Sequence, residues 1–206
     1  MKDLSLWSNK EPYIQIFKNQ TDNFYISPDK NSIKKVCFII INSKITLNFD
    51  IKNENTDLEC YCLIPSIENQ NIEVNVQTNI NANNNNFSMN LYALANNNAS
   101  ITINGNLHIT KDTNNINTSL FEETLLVWNA KYISQIPSLK VDSKNIKASH
   151  WAKIQRIPAE KLFYMQSRWL ETEKSVQIIT HSYFQRVFEY IWLNDQEKSK
   201  LYSLVK

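Results

Sequence analysis

Residues 72–82 read IEVNVQTNINA, and the alternation of apolar and polar residues along this stretch decides the fold class. Ile72, Val74 and Val76 occupy one set of positions, and Glu73 begins the other. A period of two residues is the spacing at which successive side chains of a β-strand point to opposite faces of a sheet. The stretch therefore predicts a half-buried strand.

The same alternation recurs on both sides of this strand. Residues 45–51 (ITLNFDI) precede it, and residues 87–93 (FSMNLYA) and 101–109 (ITINGNLHI) follow it, with asparagine tracts at 83–86 and 96–98 as the breaks. Strand-like units with short polar breaks are typical of a β-solenoid, a sandwich or a barrel. Alternation alone does not distinguish stacked parallel coils from antiparallel hairpins.

Glycine occurs once, at Gly105, whereas asparagine is abundant. Asparagine tolerates the left-handed backbone conformation that tight turns require, so one explanation of its abundance is that it replaces glycine in the turns; the nucleotide composition of the genome is an equal alternative. Asparagines stacked at successive turns also form side-chain ladders in stacked sheets, which favours a solenoid. The single glycine excludes a glycine-rich phosphate-binding loop, so any ATP hydrolysis would have to come from a partner.

The composition predicts a folded protein with a sizeable core. The chain has 206 residues, 42% of them hydrophobic, and a formal net charge of +2, which gives no sign of a nucleic-acid-binding surface. The longest apolar run, residues 36–41, is strand-sized, so no membrane span is expected. The N-terminal sequence MKDLSLWSNKEPY lacks the pattern of a signal peptide. We expect a cytoplasmic protein.

Candidate catalytic and metal-binding groups are few. Cys60 and Cys62 would share one face of a strand, but two sulfurs are too few for a closed metal site, so small buried hydrophobes are the favoured interpretation of the cysteines, including Cys37. Glu122 and Glu123 are adjacent and would point to opposite faces of a strand, so they do not form an acid–base pair. We therefore expect no enzymatic activity.

The periodicity changes after residue 150. Pro158 and Glu160 suit the first turn of a helix, and a second amphipathic helix is predicted over residues 172–193. The chain is predicted to consist of an N-terminal lead-in (residues 1–30), a β core (31–150) and a small helical domain (151–206).

Residues 146–170, which read IKASHWAKIQRIPAEKLFYMQSRWL, resemble the segment that closes the β core in the SufB/SufD family of SUF iron–sulfur cluster assembly scaffolds. In SufD-type members it runs roughly V-K-C-S-H-G-A-T-x-G-x-x-D-E-E-x-L-F-Y-L-x-S-R-G-I. The residues Ala-Ser-His-Trp-Ala are nearer to this pattern than to the Glu-His-Glu-Ala version of SufB. The matching positions are Ile146, Lys147, Ser149, His150, Ala152, Leu162, Phe163, Tyr164, Ser167 and Arg168.

The resemblance implies a fold and a role. The fold would be mainly β, with a right-handed parallel β-helix followed by a small helical domain. The chain would be a non-catalytic scaffold subunit that pairs with a SufB-like paralogue and binds a SufC-like ATPase, whose ATP-driven dimerisation would deform the paired interface. Whether a homodimer replaces the heterodimer is left open.

The resemblance also implies that His150 faces the paralogue and serves as a metal ligand for a transient iron–sulfur cluster shared between the two subunits. Imidazole is a competent iron ligand, although a lone histidine where a strand meets a helix is more often a hydrogen-bonded structural residue. Among the departures from the pattern, Ala148 replaces a cysteine, and Trp151 and Trp169 replace glycines. A bulky residue at a left-handed position would cost about 1 kcal/mol or more.

In the family the ATPase docks on the C-terminal helices. By position, the candidates for this surface are Tyr183, Phe184, Arg186, Val187 and Tyr190.

A second hypothesis is a β-solenoid binding or structural module without cluster chemistry, of the carbohydrate-binding or adhesin type. It would use the outward-facing polar ladder at Asn75, Gln77 and Asn79. A third keeps the scaffold fold and its partners but makes the chain a structural placeholder.

Overall fold

The computed structural model describes residues 2–4, 13–28, 33–190, 194–196 and 198–199. Within residues 2–190 the described part of the chain forms twelve strands followed by two helices. The strands are β1 Lys2–Asp3, β2 Tyr13–Lys18, β3 Thr21–Ile26, β4 Ile33–Ile41, β5 Lys44–Ile51, β6 Asp57–Ser66, β7 Asn71–Ile80, β8 Asn85–Ala95, β9 Ser100–Ile109, β10 Ile116–Leu126, β11 Lys131–Val141 and β12 Ile146–Arg156. The helices are α1 Ala159–Ser167 and α2 Thr172–Tyr190.

Successive strands alternate between two six-stranded sheets. The first sheet has the order β1-β3-β5-β7-β9-β11, and the second has the order β12-β10-β8-β6-β4-β2. Every pairing between neighbouring strands is parallel, so each coil of the chain adds one strand to each sheet. The predicted parallel β-helical core followed by helices is confirmed.

A hydrophobic core fills the space between the two sheets. Coils stack in register, so that Leu47 pairs with Val76 in the next strand of the first sheet. In the middle coils Phe49 is fully buried and lies with its ring centroid 6.2 Å from that of Phe38 and 5.5 Å from that of Phe87. This interior is apolar because the alternation along each strand places its apolar side chains between the sheets.

The outer faces of the two sheets differ. Helix α2 covers the outer face of the second sheet, where Phe184 and Val187 pack into a second hydrophobic cluster with Tyr92 and Phe121. The outer face of the first sheet is polar, and the Asn104 amide donates a hydrogen bond to Asn75 Oδ1 at 2.9 Å. No helix in the described ranges combines the length and the apolar character needed to cross a bilayer.

The turns use asparagine where other proteins use glycine. Seven asparagines of the described residues have positive φ, and the one glycine does not. Ladders connect equivalent turns: the Asn42 amide donates to Asn19 Oδ1 at 2.8 Å, and the Asn115 amide donates to Asn84 Oδ1 at 3.0 Å. The expectation that asparagine replaces glycine in the turns is confirmed.

Strands β11 and β12 are the last strands of their sheets, so the solenoid is open at this end. In the preceding coil the Ala99 carbonyl accepts a hydrogen bond from the Lys131 amide at 3.0 Å. In the last coil Arg156 takes this role: its guanidinium donates to the carbonyls of Trp128 at 2.9 Å and Ala130 at 3.1 Å. A side chain thus replaces the backbone of a coil that is absent.

The β structure extends on both sides of residues 31–150. Strands β2 and β3 lie within the first 30 residues, and β12 runs through Arg156, six positions past His150. His150 therefore lies inside a strand and not at a junction with a helix. The alternation continues past His150, with Ala152 and Ile154 between the polar residues Lys153 and Gln155, so the predicted boundary at residue 150 lies too early.

Candidate functional site

His150 lies in the terminal strand β12 and pairs in register with Leu120 of β10. Leu120 belongs to the core between the sheets, and side chains at paired positions of parallel strands point to the same face. His150 therefore faces the inter-sheet space, but it remains exposed because no further coil stacks on β12.

A hydrogen bond defines which imidazole nitrogen of His150 is available. The Nδ1 atom lies 3.2 Å from the Pro137 carbonyl oxygen, across the inter-sheet space. A carbonyl oxygen only accepts, so we assign the proton to Nδ1 and the free lone pair to Nε2. Metal-binding histidines are commonly oriented in this way, with one nitrogen bonded to a carbonyl and the other facing the metal.

Two polar residues of β10 flank Leu120 on the same inward face. Thr118 and Glu122 are both buried, and among the described residues their side-chain oxygens Oγ1, Oε1 and Oε2 have no group in hydrogen-bonding geometry. Burial raises the pKa of Glu122 to about 7, although the nearby Gly105 backbone lowers it in part. The sequence placed Glu122 and Glu123 on opposite faces but gave no sign that one of them is inside the solenoid.

Glu123 lies on the opposite face of β10, toward helix α2, and makes hydrogen bonds to both β12 and α2. Its carboxylate accepts hydrogen bonds from Lys153 at 3.3 Å, Gln155 at 3.0 Å and Arg186 at 2.7 Å. The Tyr183 hydroxyl donates to the Glu123 carbonyl at 2.9 Å. One residue of β10 thus connects the terminal strand β12 to α2, and the predicted opposite orientation of the two glutamates is confirmed.

The residues predicted as a docking surface on α2 have a different environment from the one expected. Tyr183, Phe184 and Val187 are buried against the second sheet, because the apolar outer face of that sheet requires a cover. Arg186 is partly exposed and pairs with Glu123. The side chain of Tyr190 lies outside the described part of the structure.

Helix α1 presents exposed aromatic side chains. None of its side chains is buried, and Phe163 and Tyr164 are 73% and 60% exposed. The helix ends in a Schellman motif, in which the amide of Trp169 donates to the Gln166 carbonyl at 2.9 Å and the amide of Leu170 donates to the Met165 carbonyl at 3.3 Å.

Trp169 occupies the left-handed position of that motif with φ of 65° and is 97% exposed. Of the two tryptophans found where the SufD pattern has glycine, this one carries backbone strain. Trp151 lies in strand β12 without positive φ, and its ring centroid lies 3.9 Å from that of Phe121.

The open end of the solenoid also exposes aliphatic side chains. Ile133 and Ile136 of β11 are each 63% exposed, and Trp151 and Ile154 of β12 belong to the same end. Apolar groups of this size on the last strands of two sheets are typical of a surface that another protein covers.

The cysteines do not contribute to this site. Cys37, Cys60 and Cys62 are free thiols in the two hydrophobic clusters, as expected of buried hydrophobes. Burial raises the pKa of Cys37 to about 12 and also raises those of Cys60 and Cys62, which keeps the thiols protonated. Across the described ranges, no group of three or more His, Cys, Asp or Glu side chains is placed to hold a metal ion.

Comparisons with known proteins agree with this architecture. The family described as "SUF system FeS cluster assembly, SufBD core domain" matches residues 28–183. An iron-sulfur cluster assembly SufBD family protein of Staphylococcus haemolyticus is 24% identical over 93 residues, which are 45% of this chain and 20% of the relative. Iron-sulfur cluster assembly protein SufB of Bacillus subtilis is 23% identical over the same share of each chain.

These matches span about a fifth of the length of the curated relatives. They include a protein named SufB, so they do not separate a SufD-like chain from a SufB-like one. The family match covers more than half of the chain, from Pro28, which follows β3, to Tyr183 in α2. The chain belongs to the SufBD core domain family of the SUF iron–sulfur cluster assembly system.

Proposed function

We propose that this protein is a non-catalytic, SufD-like scaffold subunit that pairs with a SufB-like paralogue and binds a SufC-like ATPase. The observation that carries the proposal is the open solenoid end, where a histidine with a free Nε2 lies among exposed apolar side chains. Family membership supports a role in SUF iron–sulfur cluster assembly.

Pairing with the paralogue would cover the edges of β11 and β12. An uncovered strand edge offers unpaired amides and carbonyls, and native proteins protect such edges or use them for association. Ile133, Ile136 and Trp151 supply apolar contact area around the edges. A paralogue with the same fold would present a matching pair of sheet ends.

The iron–sulfur cluster is cargo in this proposal, shared between two subunits. His150 offers one nitrogen ligand, and Ala148, which replaces the cysteine of the SufD pattern, offers none. The buried thiols lie in the hydrophobic clusters and stay protonated. The remaining cluster ligands therefore come from the partner, and the isolated chain would bind a cluster poorly.

The ATPase would dock on α1 rather than on the inward face of α2. Phe163, Tyr164 and Trp169 offer an exposed aromatic surface, whereas the apolar side chains of α2 cover the second sheet. The contacts of Glu123 join α2 to β12, so movement of the helices would be transmitted to the strand that carries His150.

Affinity purification of the tagged protein from its native cell, with mass spectrometry of the bound proteins, tests the assembly. We expect a SufC-like ATPase and a SufB-like subunit in the eluate. Recovery of the chain with neither would contradict the proposal, and recovery of a second copy in place of the paralogue would replace the heterodimer with a homodimer.

His150→Ala tests the chemistry within that complex. We expect loss of cluster assembly with the complex intact, and His108→Ala serves as the control, since His108 is a half-buried histidine of the first sheet that pairs with Asp142. Unchanged assembly in His150→Ala would leave the chain as a structural placeholder.

The rival hypothesis of a polar binding ladder has less support. Asn75, which it requires as an outward-facing ligand group, accepts a hydrogen bond from Asn104 and donates one to Glu73 at 3.2 Å. Its amide group is therefore already used within the sheet.

A further inference from the structure

One corner of the solenoid carries three four-residue turns of the same geometry. They lead from the second sheet into β7, β9 and β11 and comprise residues 67–70, 96–99 and 127–130. In each turn the amide of the fourth residue donates to the carbonyl of the first at 3.2 Å. The second residue has positive φ in each: 58° at Glu68, 58° at Asn97 and 54° at Trp128. Equivalent turn positions therefore form columns along the solenoid, with a step of about 4.8 Å from coil to coil.

Trp128 is an unusual residue for its position in the turn. A bulky side chain is strained at positive φ, and the turn one coil earlier avoids this strain with Asn97. The indole adds nothing to the core in return, since Trp128 is 45% exposed and belongs to neither hydrophobic cluster. Strained residues of this kind are concentrated at functional sites.

Two hollows meet at Trp128. One, of about 320 Å³, lies over the turns and has Glu68 and Asn98 in its lining. The other, of about 510 Å³, lies between the turns and the start of α2, where Glu173 and Gln177 line it. Small-ligand pockets have volumes of about 300–1,000 Å³, so both hollows are large enough to hold a small molecule. Together they form a groove with an indole at its centre, which we term the Trp128 groove.

The Trp128 groove contains side-chain amides that the fold does not use. Asn69, Asn98 and Asn129 form the column next to that of Trp128, and among the described residues none of these three amides hydrogen-bonds to another protein group. At the opposite corner asparagine holds coils together, since the Asn115 amide donates to Asn84 Oδ1 at 3.0 Å. An amide side chain both donates and accepts hydrogen bonds, so the column offers both kinds of group to a ligand.

The charges of the groove select the class of ligand. Glu68 and Glu173 contribute carboxylates, and the described residues that line the two hollows include no lysine or arginine. Phosphates and other anions are therefore disfavoured. The face of the indole attracts C–H groups, while amides and carboxylates bond to hydroxyls. A neutral molecule with an apolar ring face and several hydroxyl groups fits both features.

We propose that the Trp128 groove binds a neutral saccharide of one or two rings, which stacks on the indole and hydrogen-bonds to the amide column. The groove uses none of the side chains assigned above to the paralogue, the cluster or the ATPase. The saccharide site therefore does not depend on the scaffold function, and each can be tested without the other.

Isothermal titration of the purified full chain with maltose, cellobiose and diacetylchitobiose tests the site. We expect at least one of these disaccharides to bind with a Kd of about 1 mM or below, and Trp128→Asn should weaken that binding at least about tenfold. This variant should fold, because asparagine already occupies the equivalent position 97. Trp169→Asn, which removes an exposed indole at positive φ on a different surface, is the matched control and should bind as the wild type does.

The outcomes separate the groove from its alternatives. Absence of binding of all three disaccharides at about 20 mM, or equal binding by Trp128→Asn and the wild type, would overturn the proposal. Binding of a lysine-rich peptide in place of the disaccharides, lost in Trp128→Asn, would also overturn it and would assign the groove to a cationic protein segment. Saccharide binding by a chain that captures no SUF partners from its cell would support the groove and contradict the scaffold function. The reverse result would overturn the groove and leave the scaffold function standing.

Discussion

The interior of the middle coils and the interior of the last coil have the same backbone but different contents. In the middle coils the space between the sheets is filled by aromatic and aliphatic side chains such as Phe38, Phe49 and Phe87. In the last coil the same rows of positions carry Thr118 and Glu122, and His150 follows on the exposed strand. The difference indicates that the middle coils provide stability, whereas the last coil gives up stability for polar groups near the open end of the solenoid.

The largest effect is expected from breaking the middle coils. Phe49→Ala would leave a cavity in a fully buried aromatic stack and should lower the free energy of unfolding by about 3–5 kcal/mol, as measured by chemical denaturation. Phe163→Ala, which truncates the same side chain on the exposed helix α1, should change it by less than about 0.5 kcal/mol. Equal losses in the two variants would contradict the assigned core.

The next effect is the pH dependence of the last coil. Burial raises the pKa of Glu122 from 4.5 to about 7, so the folded chain holds this proton more tightly than the unfolded chain does. The stabilisation is fully present below about pH 4.5 and is lost as the pH rises to about 7. The loss amounts to at most about 3 kcal/mol, because one pKa unit corresponds to ~1.4 kcal/mol.

Glu122→Gln should remove this pH-dependent loss of stability, because glutamine does not ionise. The variant should therefore have a larger free energy of unfolding than the wild type above pH 7. Denaturation curves at a series of pH values measure the effect, and Glu59→Gln should retain the wild-type profile. If the free energies of unfolding of Glu122→Gln and the wild type change with pH in the same way, burial does not raise the pKa of Glu122.

Gly105→Ala tests the contact between Gly105 of β9 and Glu122 of β10, where the apolar interior of the middle coils gives way to the polar interior of the last coil. The added methyl group would collide with the Glu122 carboxylate and crowd Leu120, which should lower the free energy of unfolding by about 1–3 kcal/mol. The cost should be smaller when Glu122 is also alanine, a coupling that a double-mutant cycle measures. Asn106→Ala, on the outward face of the same strand, should show no coupling to Glu122.

The smallest effect lies outside both interiors. Trp169→Gly should raise the free energy of unfolding by about 1 kcal/mol, because glycine adopts φ of 65° without the strain that a tryptophan carries. Thermal denaturation tests this gain, and the same variant should bind the ATPase more weakly if the indole is a docking group. A loss of stability would instead show that the indole packs within the chain.

The sequence predicted elements wherever one face of a strand is buried and the other is not. Residues 72–82 and 101–109 alternate because one face of the first sheet is buried in the core and the other faces solvent. The alternation left the parallel arrangement open, since hairpins show the same period; the resemblance carried by residues 146–170 supplied it. The end of β12 was predicted too early, at residue 150, although Ala152 and Ile154 keep the alternation past His150.

The site was less accessible to sequence analysis than the fold. His150 could be chosen from its neighbours in the sequence, but the burial of Glu122 depends on which face of β10 meets the other sheet. Alternation does not reveal this when α2 buries the opposite face as well. The amphipathic pattern of α2 likewise predicts that one face of the helix is covered, but it does not show whether a partner or the chain's own sheet covers it. Sequence analysis therefore places Tyr183 and Phe184 on a partner surface, whereas both pack on the second sheet.

The guanidinium of Arg156 has a consequence for how such a protein changes length over evolution. Repetitive folds grow by duplication of a unit, and many end in a specialised capping repeat. Here one side chain donates to the carbonyls of Trp128 and Ala130, and the Ala130 carbonyl is the equivalent of the Ala99 carbonyl that the next coil uses. A duplicated coil would therefore need only to displace this side chain, so the number of repeats can change without the invention of a new terminus.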